Sequence, residues 1–118
     1  MLPYQSPRNE RKFMNIDLLE ALRNLDGIEG SDAYGANIYD LAKSTDHHDF
    51  VEIVCDWRVA SHLRRRAGHA YVLALHHSRL LNGNKWISWL KKQDNKSVNR
   101  GIEMGFTQLK GQLEEIER

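Results

Sequence analysis

The sequence predicts an all-α protein, a compact four- to five-helix bundle with one long central helix at about residues 49–81. Three observations support this fold class. Both prolines lie within the first seven residues, so the remaining chain can be helical without proline's steric clash and missing N–H. Leu and Ala together outnumber the β-branched residues, which favours helix over strand. Apolar residues also recur at spacings of three and four along several segments.

The length and composition fit a single domain. With 118 residues, 41% of them hydrophobic, the chain can bury a modest core but has no room for a second domain. We predict a flexible N-terminal tail at residues 1–13 and a single helical domain at residues 14–118. Cys55 is the one cysteine, so no intramolecular disulfide can form, and we expect a cytoplasmic location. No apolar run approaches the roughly 20 residues that span a bilayer, so we expect no membrane partner.

The first two helices are predicted from their capping residues. Asn15 is a good N-cap, Asp17 lies in the first turn, and Gly27 is the expected stop of the first helix. Ser31 can cap a second, short helix that ends in the polar cluster at residues 44–46. Both segments carry apolar residues at helical spacing, so each helix has one face to bury.

The long central helix is predicted from a broad apolar arc between about residues 49 and 81, closed by Asn82-Gly83-Asn84. The opposite side carries basic residues and histidines, which we expect to face solvent. Small residues recur every seven positions within the arc, so a partner helix could approach closely. These small residues are Ala60, Ala67 and Ala74, with Gly68 beside one of them.

A short helix at about residues 85–92 and a last helix from about Ser97 complete the bundle. The last helix has an a/d seam that must pack on the chain's own third helix or on a second copy, and we expect a homodimer through it. Gly101 and Gly105 form a G-x-x-x-G match, which in a soluble helix indicates close packing and nothing more. The expected interface residues are Arg64, Val98, Ile102, Phe106, Leu109 and Leu113.

The charges are strongly segregated along the chain, although the formal net charge is only +1. Residues 1–56 hold 5 Lys/Arg against 11 Asp/Glu. Residues 57–100 hold 10 Lys/Arg against the single acid Asp94. The remaining residues, 101–118, hold 2 Lys/Arg and 4 Asp/Glu. A nearly neutral total therefore contains a strongly basic middle segment.

The basic middle predicts a non-enzymatic nucleic-acid-binding protein, for DNA or RNA, with a regulatory role or a place in a nucleoprotein complex. Lys and Arg on one helical face match the spacing of phosphates, and binding releases the counterions of those phosphates. An exposed Trp89 could stack on an unpaired base, whereas a buried Trp89 beside ordinary solvated lysines would be merely structural. The candidate contact residues are Arg58, His62, Arg65, Arg66, His69, Arg79, Lys85, Trp89, Lys91 and Lys92.

The alternative is a helical adaptor or inhibitor, in which the acidic N-terminal half and the basic middle mediate contacts with a protein partner or within a dimer. This alternative holds if the acidic half neutralises the basic helix and leaves no free positive surface. Arg64 is informative because it lies inside the apolar arc, where a guanidinium must be paired. It either bonds a carboxylate of the N-terminal helices or stacks between aromatic rings at an interface.

The histidines do not predict a metal site, and no cofactor is expected. Four of them share a seven-residue spacing with Cys55, but about 10.5 Å of helix separates successive positions, which is too far for two ligands of one ion. The adjacent pair His47-His48 points about 100° apart on a helix, unlike the ligand pair of H-E-x-x-H. No phosphate-binding loop or nucleophile elbow is present either, so we expect no enzyme activity. The stripe consists of His48, Cys55, His62, His69 and His76.

Overall fold

A computed structural model describes residues 15–93 and 95–117, with side chains up to residue 112. Over these ranges the chain forms six α-helices and no strand, which confirms the all-α class. None of these helices is long and apolar enough to cross a membrane. The predicted tail at residues 1–13 lies outside the described ranges. The helices are α1 (Ile16–Arg23), α2 (Asp32–Ser44), α3 (His47–Val54), α4 (Ser61–His77), α5 (Lys85–Lys92) and α6 (Lys96–Glu117).

The first two helices begin where their capping residues predict. The Asn15 side chain accepts a hydrogen bond from the Leu18 N–H at 3.0 Å, and Ser31 accepts one from the Tyr34 N–H at 3.3 Å. Each bond satisfies one of the N–H groups that a helix start leaves without a partner. The loop between the two helices turns at Gly27 and at Gly30, which have φ values of 88° and 96°. This left-handed conformation suits glycine because it has no Cβ.

The predicted single helix at residues 49–81 is wrong, because the chain leaves the helix at residues 55–60 and so forms α3 and α4 separately. In this turn the Asp56 carboxylate accepts hydrogen bonds from the Arg58 backbone N–H and guanidinium, both at 3.0 Å. Such a side-chain bond offers the backbone an alternative to helix. The apolar spacing hides the break because Trp57 continues it, yet that side chain is 81% exposed. The extra helix explains why six are found rather than four or five.

The centre of the core is α4, which contacts α1, α2, α3 and α6. Every residue from Arg66 to Leu75 is buried, so this central part of the helix is covered on all sides instead of presenting one solvated face. Its Tyr71 is fully buried, as are Phe50 of α3 and Leu22 of α1. A helix enclosed in this way must satisfy any polar side chain it carries from within the protein.

The contact between α4 and α6 brings two backbones together at glycines. A Cβ added at Gly105 would lie 2.7 Å from the Val72 Cβ, and one added at Gly68 would lie 3.2 Å from the Val98 carbonyl oxygen. A Cβ at Gly101 would overlap the Arg65 carbonyl oxygen. The close packing predicted from Gly101 and Gly105 is therefore confirmed, with the chain's own α4 as the partner.

This contact also settles where the apolar seam of the last helix packs. Val98, Ile102 and Leu109 are buried within the chain, whereas Phe106 is partly exposed. The side chain of Leu113 lies outside the described part. Since most of the described seam is already covered by α4, the expected homodimer gains no support from it.

Candidate nucleic-acid interface

Two arginines of α4, Arg65 and Arg66, are bound by acids from the loop between α1 and α2. The two oxygens of Glu29 accept bonds from Arg65 Nε at 3.0 Å and from Arg66 Nε at 2.8 Å. Arg66 Nη1 also donates to Asp26 at 2.6 Å and to the Leu22 carbonyl at 2.7 Å. The Arg66 side chain is only 5% exposed, so solvent and ligands cannot reach it. We call Asp26, Glu29, Arg65 and Arg66 the ion cluster.

The ion cluster stays charged although it is partly buried. Burial alone would raise the pKa of Glu29, but the hydrogen bonds from Arg66 and Arg65 outweigh it and hold the pKa below its ordinary value. For Arg66, burial alone would lower the pKa, but the bonds to Asp26 and Glu29 raise it instead. Positive and negative charges thus neutralise each other inside the chain, and no charge is left for a phosphate.

His69 is buried between α4, α2 and α6. Its Nε2 lies 2.7 Å from Gln108 Oε1, and Gln108 Nε2 donates to the Gly35 carbonyl at 3.1 Å. Because the Gln108 oxygen must accept, His69 Nε2 carries the hydrogen of this bond. Burial lowers the His69 pKa and outweighs the Gln108 bond, which acts in the opposite direction. The expectation that Arg65, Arg66 and His69 present a free positive face is therefore wrong.

The remaining candidates near the start of α4 also lie close to acceptor oxygens of the chain itself. Arg58 is exposed but pairs with Asp56 at 2.9 Å. His62 Nε2 lies 3.8 Å from the Asp26 carboxylate. Arg64 Nε donates to the Val54 carbonyl at 2.8 Å, which satisfies an oxygen at the end of α3. The partner of Arg64 is therefore a backbone oxygen and not the carboxylate or the aromatic rings that the sequence led us to expect.

The basic residues of α5 and its surroundings differ from those of α4. Four of the predicted contact residues, Arg79, Lys85, Lys91 and Lys92, are exposed, and none of them forms an ion pair with any described residue. Lys96 and Arg100 at the start of α6 share both properties. The structure thus divides the basic middle into a paired part on α4 and an unpaired part that follows it.

Two tryptophans lie among these unpaired cations. Ile87 and Leu90 anchor α5 in the core, while Trp86 and Trp89 are both nearly half exposed. Their ring centroids are 5.1 Å apart and the rings meet edge to face at 82°. The i, i+3 spacing of Trp86 and Trp89 in the sequence itself indicates that the two side chains are neighbours on the helix. Lys85, Trp86, Trp89 and Lys92 lie on one side of α5 and are called the Trp–Lys surface below, whereas Lys91 lies on another side of the helix, over the Phe106 ring.

The histidine stripe is not a site, but a different histidine cluster forms. The stripe residues lie on α3, in the turn that follows it and on α4, and His69 is buried while the others are exposed. Instead, ligand atoms of Asp46, His47 and His48 all lie within 4.8 Å of one another. Sequence reasoning missed this group because it considered helix positions only, whereas Asp46 precedes the helix.

Comparisons of this chain with protein-family models, curated proteins and solved structures give no match. Its function therefore has to be argued from the surfaces described above.

Proposed function

We propose that this protein is a small, non-enzymatic nucleic-acid-binding protein that contacts its ligand through the Trp–Lys surface. The observation that carries this proposal is the set of exposed cations around Trp86 and Trp89 that have no acidic partner in the described part of the chain. Unpaired Lys and Arg attract phosphates, and exposed aromatic rings offer planes on which bases stack. The arginine side of α4 has no part in this proposal.

The geometry of the tryptophans favours a single-stranded ligand. Each ring restricts its neighbour, since their centroids are 5.1 Å apart, so little side-chain entropy remains to be lost when a base stacks. Bases of a single strand are free to leave their own stack, whereas those of a duplex are not. Lys91 Nζ lies 5.7 Å from the centre of the Phe106 ring, so this cation lies over a third exposed aromatic side chain.

The test is a titration of the full chain with fluorescently labelled single-stranded RNA, single-stranded DNA and duplex DNA at several salt concentrations. For about four phosphate contacts, log K falls with log salt with a slope of about −3 on a single strand. Lys92→Gln reduces the magnitude of this slope by about 0.7, while Arg23→Gln on α1, a matched loss of one exposed cation, leaves it unchanged. Trp89→Ala weakens binding about 5- to 150-fold, because one stacked base contributes about 1–3 kcal/mol.

A protein adaptor is the second candidate, and Trp57 is the observation that favours it. This side chain lies in the turn between α3 and α4 and is 81% exposed. Large exposed aromatic side chains are enriched where proteins bind one another. Absence of binding to all three nucleic acids at low salt would reject the first proposal and leave the adaptor.

A further inference from the structure

We propose that Asp46, His47 and His48 form a binding site for a divalent transition-metal ion of the Zn²⁺ class. The site lies at the start of α3. Asp46 is the N-cap, and its Oδ1 accepts a hydrogen bond from the His48 N–H at 2.9 Å. This bond folds the carboxylate back over the first turn and so brings it next to both imidazole rings.

The distances between the donor atoms suit one ion. Asp46 Oδ1 lies 3.0 Å from His48 Nδ1 and 3.9 Å from His47 Nδ1, and the two rings have centroids 4.2 Å apart. Ligands of a tetrahedral zinc ion, each about 2.0–2.2 Å from the metal, lie roughly 3.3–3.5 Å from one another. Both distances to Asp46 Oδ1 differ from this spacing by less than about 0.6 Å, and rotation of the two imidazole side chains is the adjustment that the site requires. A carboxylate oxygen has two lone pairs, so Oδ1 can keep its capping bond while it binds the ion.

The donor set indicates which ion is bound. Two imidazole nitrogens and one carboxylate oxygen suit Zn²⁺, whereas Mg²⁺ and Ca²⁺ prefer oxygen ligands alone. Asp46 and His48 are exposed, so water can take the fourth position. His47 is more buried, and its ring centroid is 6.3 Å from that of Tyr71, which restricts its orientation.

The charge around the site compensates for the helix dipole. The N-terminal end of a helix carries a partial positive charge, which opposes a cation. Asp46 contributes one full negative charge at the site, and Asp49 adds a second one in the first turn of α3. Binding also requires both ligand nitrogens to be unprotonated, so each imidazole binds the ion as the tautomer that carries its hydrogen on Nε2, and the hydrogen bond between His48 Nδ1 and Asp46 is lost.

The test is isothermal titration of the untagged full chain with ZnCl₂ in a non-chelating buffer, and binding of one ion per chain is expected. His48→Ala and Asp46→Asn should each weaken binding at least about tenfold, since each loses a metal ligand. Asn caps a helix as well as Asp does, so Asp46→Asn removes the charge without removing the cap. His76→Ala is the matched control, because it disrupts the other adjacent histidine pair of the chain.

Three results would overturn the proposal: no binding at submillimolar ZnCl₂, unchanged binding in His48→Ala, or equal weakening in His76→Ala. Far-ultraviolet circular dichroism of every variant shows whether its helices are intact. With Co²⁺ as a second probe, a tetrahedral site gives visible absorption bands, and these bands should be lost in His48→Ala. Failure of this proposal leaves the nucleic-acid proposal unaffected, because the two surfaces share no residue.

Discussion

Replacing Glu29 by Gln should destabilise the protein strongly, because its carboxylate accepts three hydrogen bonds from Arg65 and Arg66. The amide of Gln retains one acceptor oxygen, but it loses the charge and turns an N–H group towards a guanidinium. Arg65 is about a quarter exposed and can regain water, whereas Arg66 is buried and keeps only Asp26 and one carbonyl as partners. We therefore expect a loss of about 2–3 kcal/mol, below the full cost of an unpaired buried charge.

The assay is urea unfolding followed by far-ultraviolet circular dichroism at pH 7. With a slope of about 1.5 kcal/mol per molar urea, the midpoint of Glu29→Gln should fall by about 1.3–2 M. Glu20→Gln is the matched control, because Glu20 and Arg23 form an ion pair at 3.5 Å with both side chains more than half exposed. An exposed pair of this kind contributes less than about 1 kcal/mol. A Glu29→Gln midpoint within about 0.3 M of the wild type would refute the assigned importance of the ion cluster.

Two further predictions concern His69 and the contact between α4 and α6. Burial lowers the pKa of His69 from its ordinary 6.5, so the unfolded chain binds a proton that the folded chain does not. The contribution of His69 to the free energy of unfolding is therefore complete above pH 6.5 and decreases as the pH falls towards the lowered pKa. The urea midpoint of the wild type should decrease over this pH range, and that decrease should be absent in His69→Gln. Gly101→Ala should lower stability by about 3 kcal/mol or prevent folding, because its Cβ would overlap the Arg65 carbonyl. Gly111→Ala, where a Cβ meets nothing within 4 Å, should instead stabilise α6 by up to about 1 kcal/mol. If Gly101→Ala melts within about 2 °C of the wild type, the close approach of the two helices is refuted.

The features that the sequence predicted correctly depend on neighbouring residues. Asn15 and Ser31 cap their helices through bonds to N–H groups three positions away, so their roles follow from local chemistry. The close packing at Gly101 and Gly105 was likewise predicted from the four-residue spacing of these glycines. The helical class and the starts of the first two helices could be predicted for the same reason.

The break at residues 55–60 could not be predicted from periodicity. The apolar pattern continues in phase through Trp57, and only the side-chain bonds of Asp56 to Arg58 identify the turn. An Asp two residues before an Arg also occurs within helices, so this pair alone does not predict a turn. Turn chemistry and helix periodicity therefore favour different structures here, and the chain adopts the turn, in which Trp57 is 81% exposed.

The pairing of charges could not be predicted either, because it depends on tertiary contacts. Glu29 lies 36 and 37 positions before the two arginines that it binds. Charge segregation correctly raised the question of whether the acidic half neutralises the basic middle. The structure answers it differently for two sets of residues, since Arg65 and Arg66 of α4 are paired with acids, while the lysines of α5 form no ion pair with any described residue.

The difference in ion pairing between the cations of α4 and α5 affects how the protein binds to an ion-exchange resin. Ion exchangers respond to accessible charge within about 10 Å of the resin, not to the sum over the molecule. The ion cluster contributes almost nothing at such distances, whereas Lys85, Lys91 and Lys92 contribute fully. A chain with a formal net charge of +1 should therefore be retained on a cation exchanger like a considerably more basic protein.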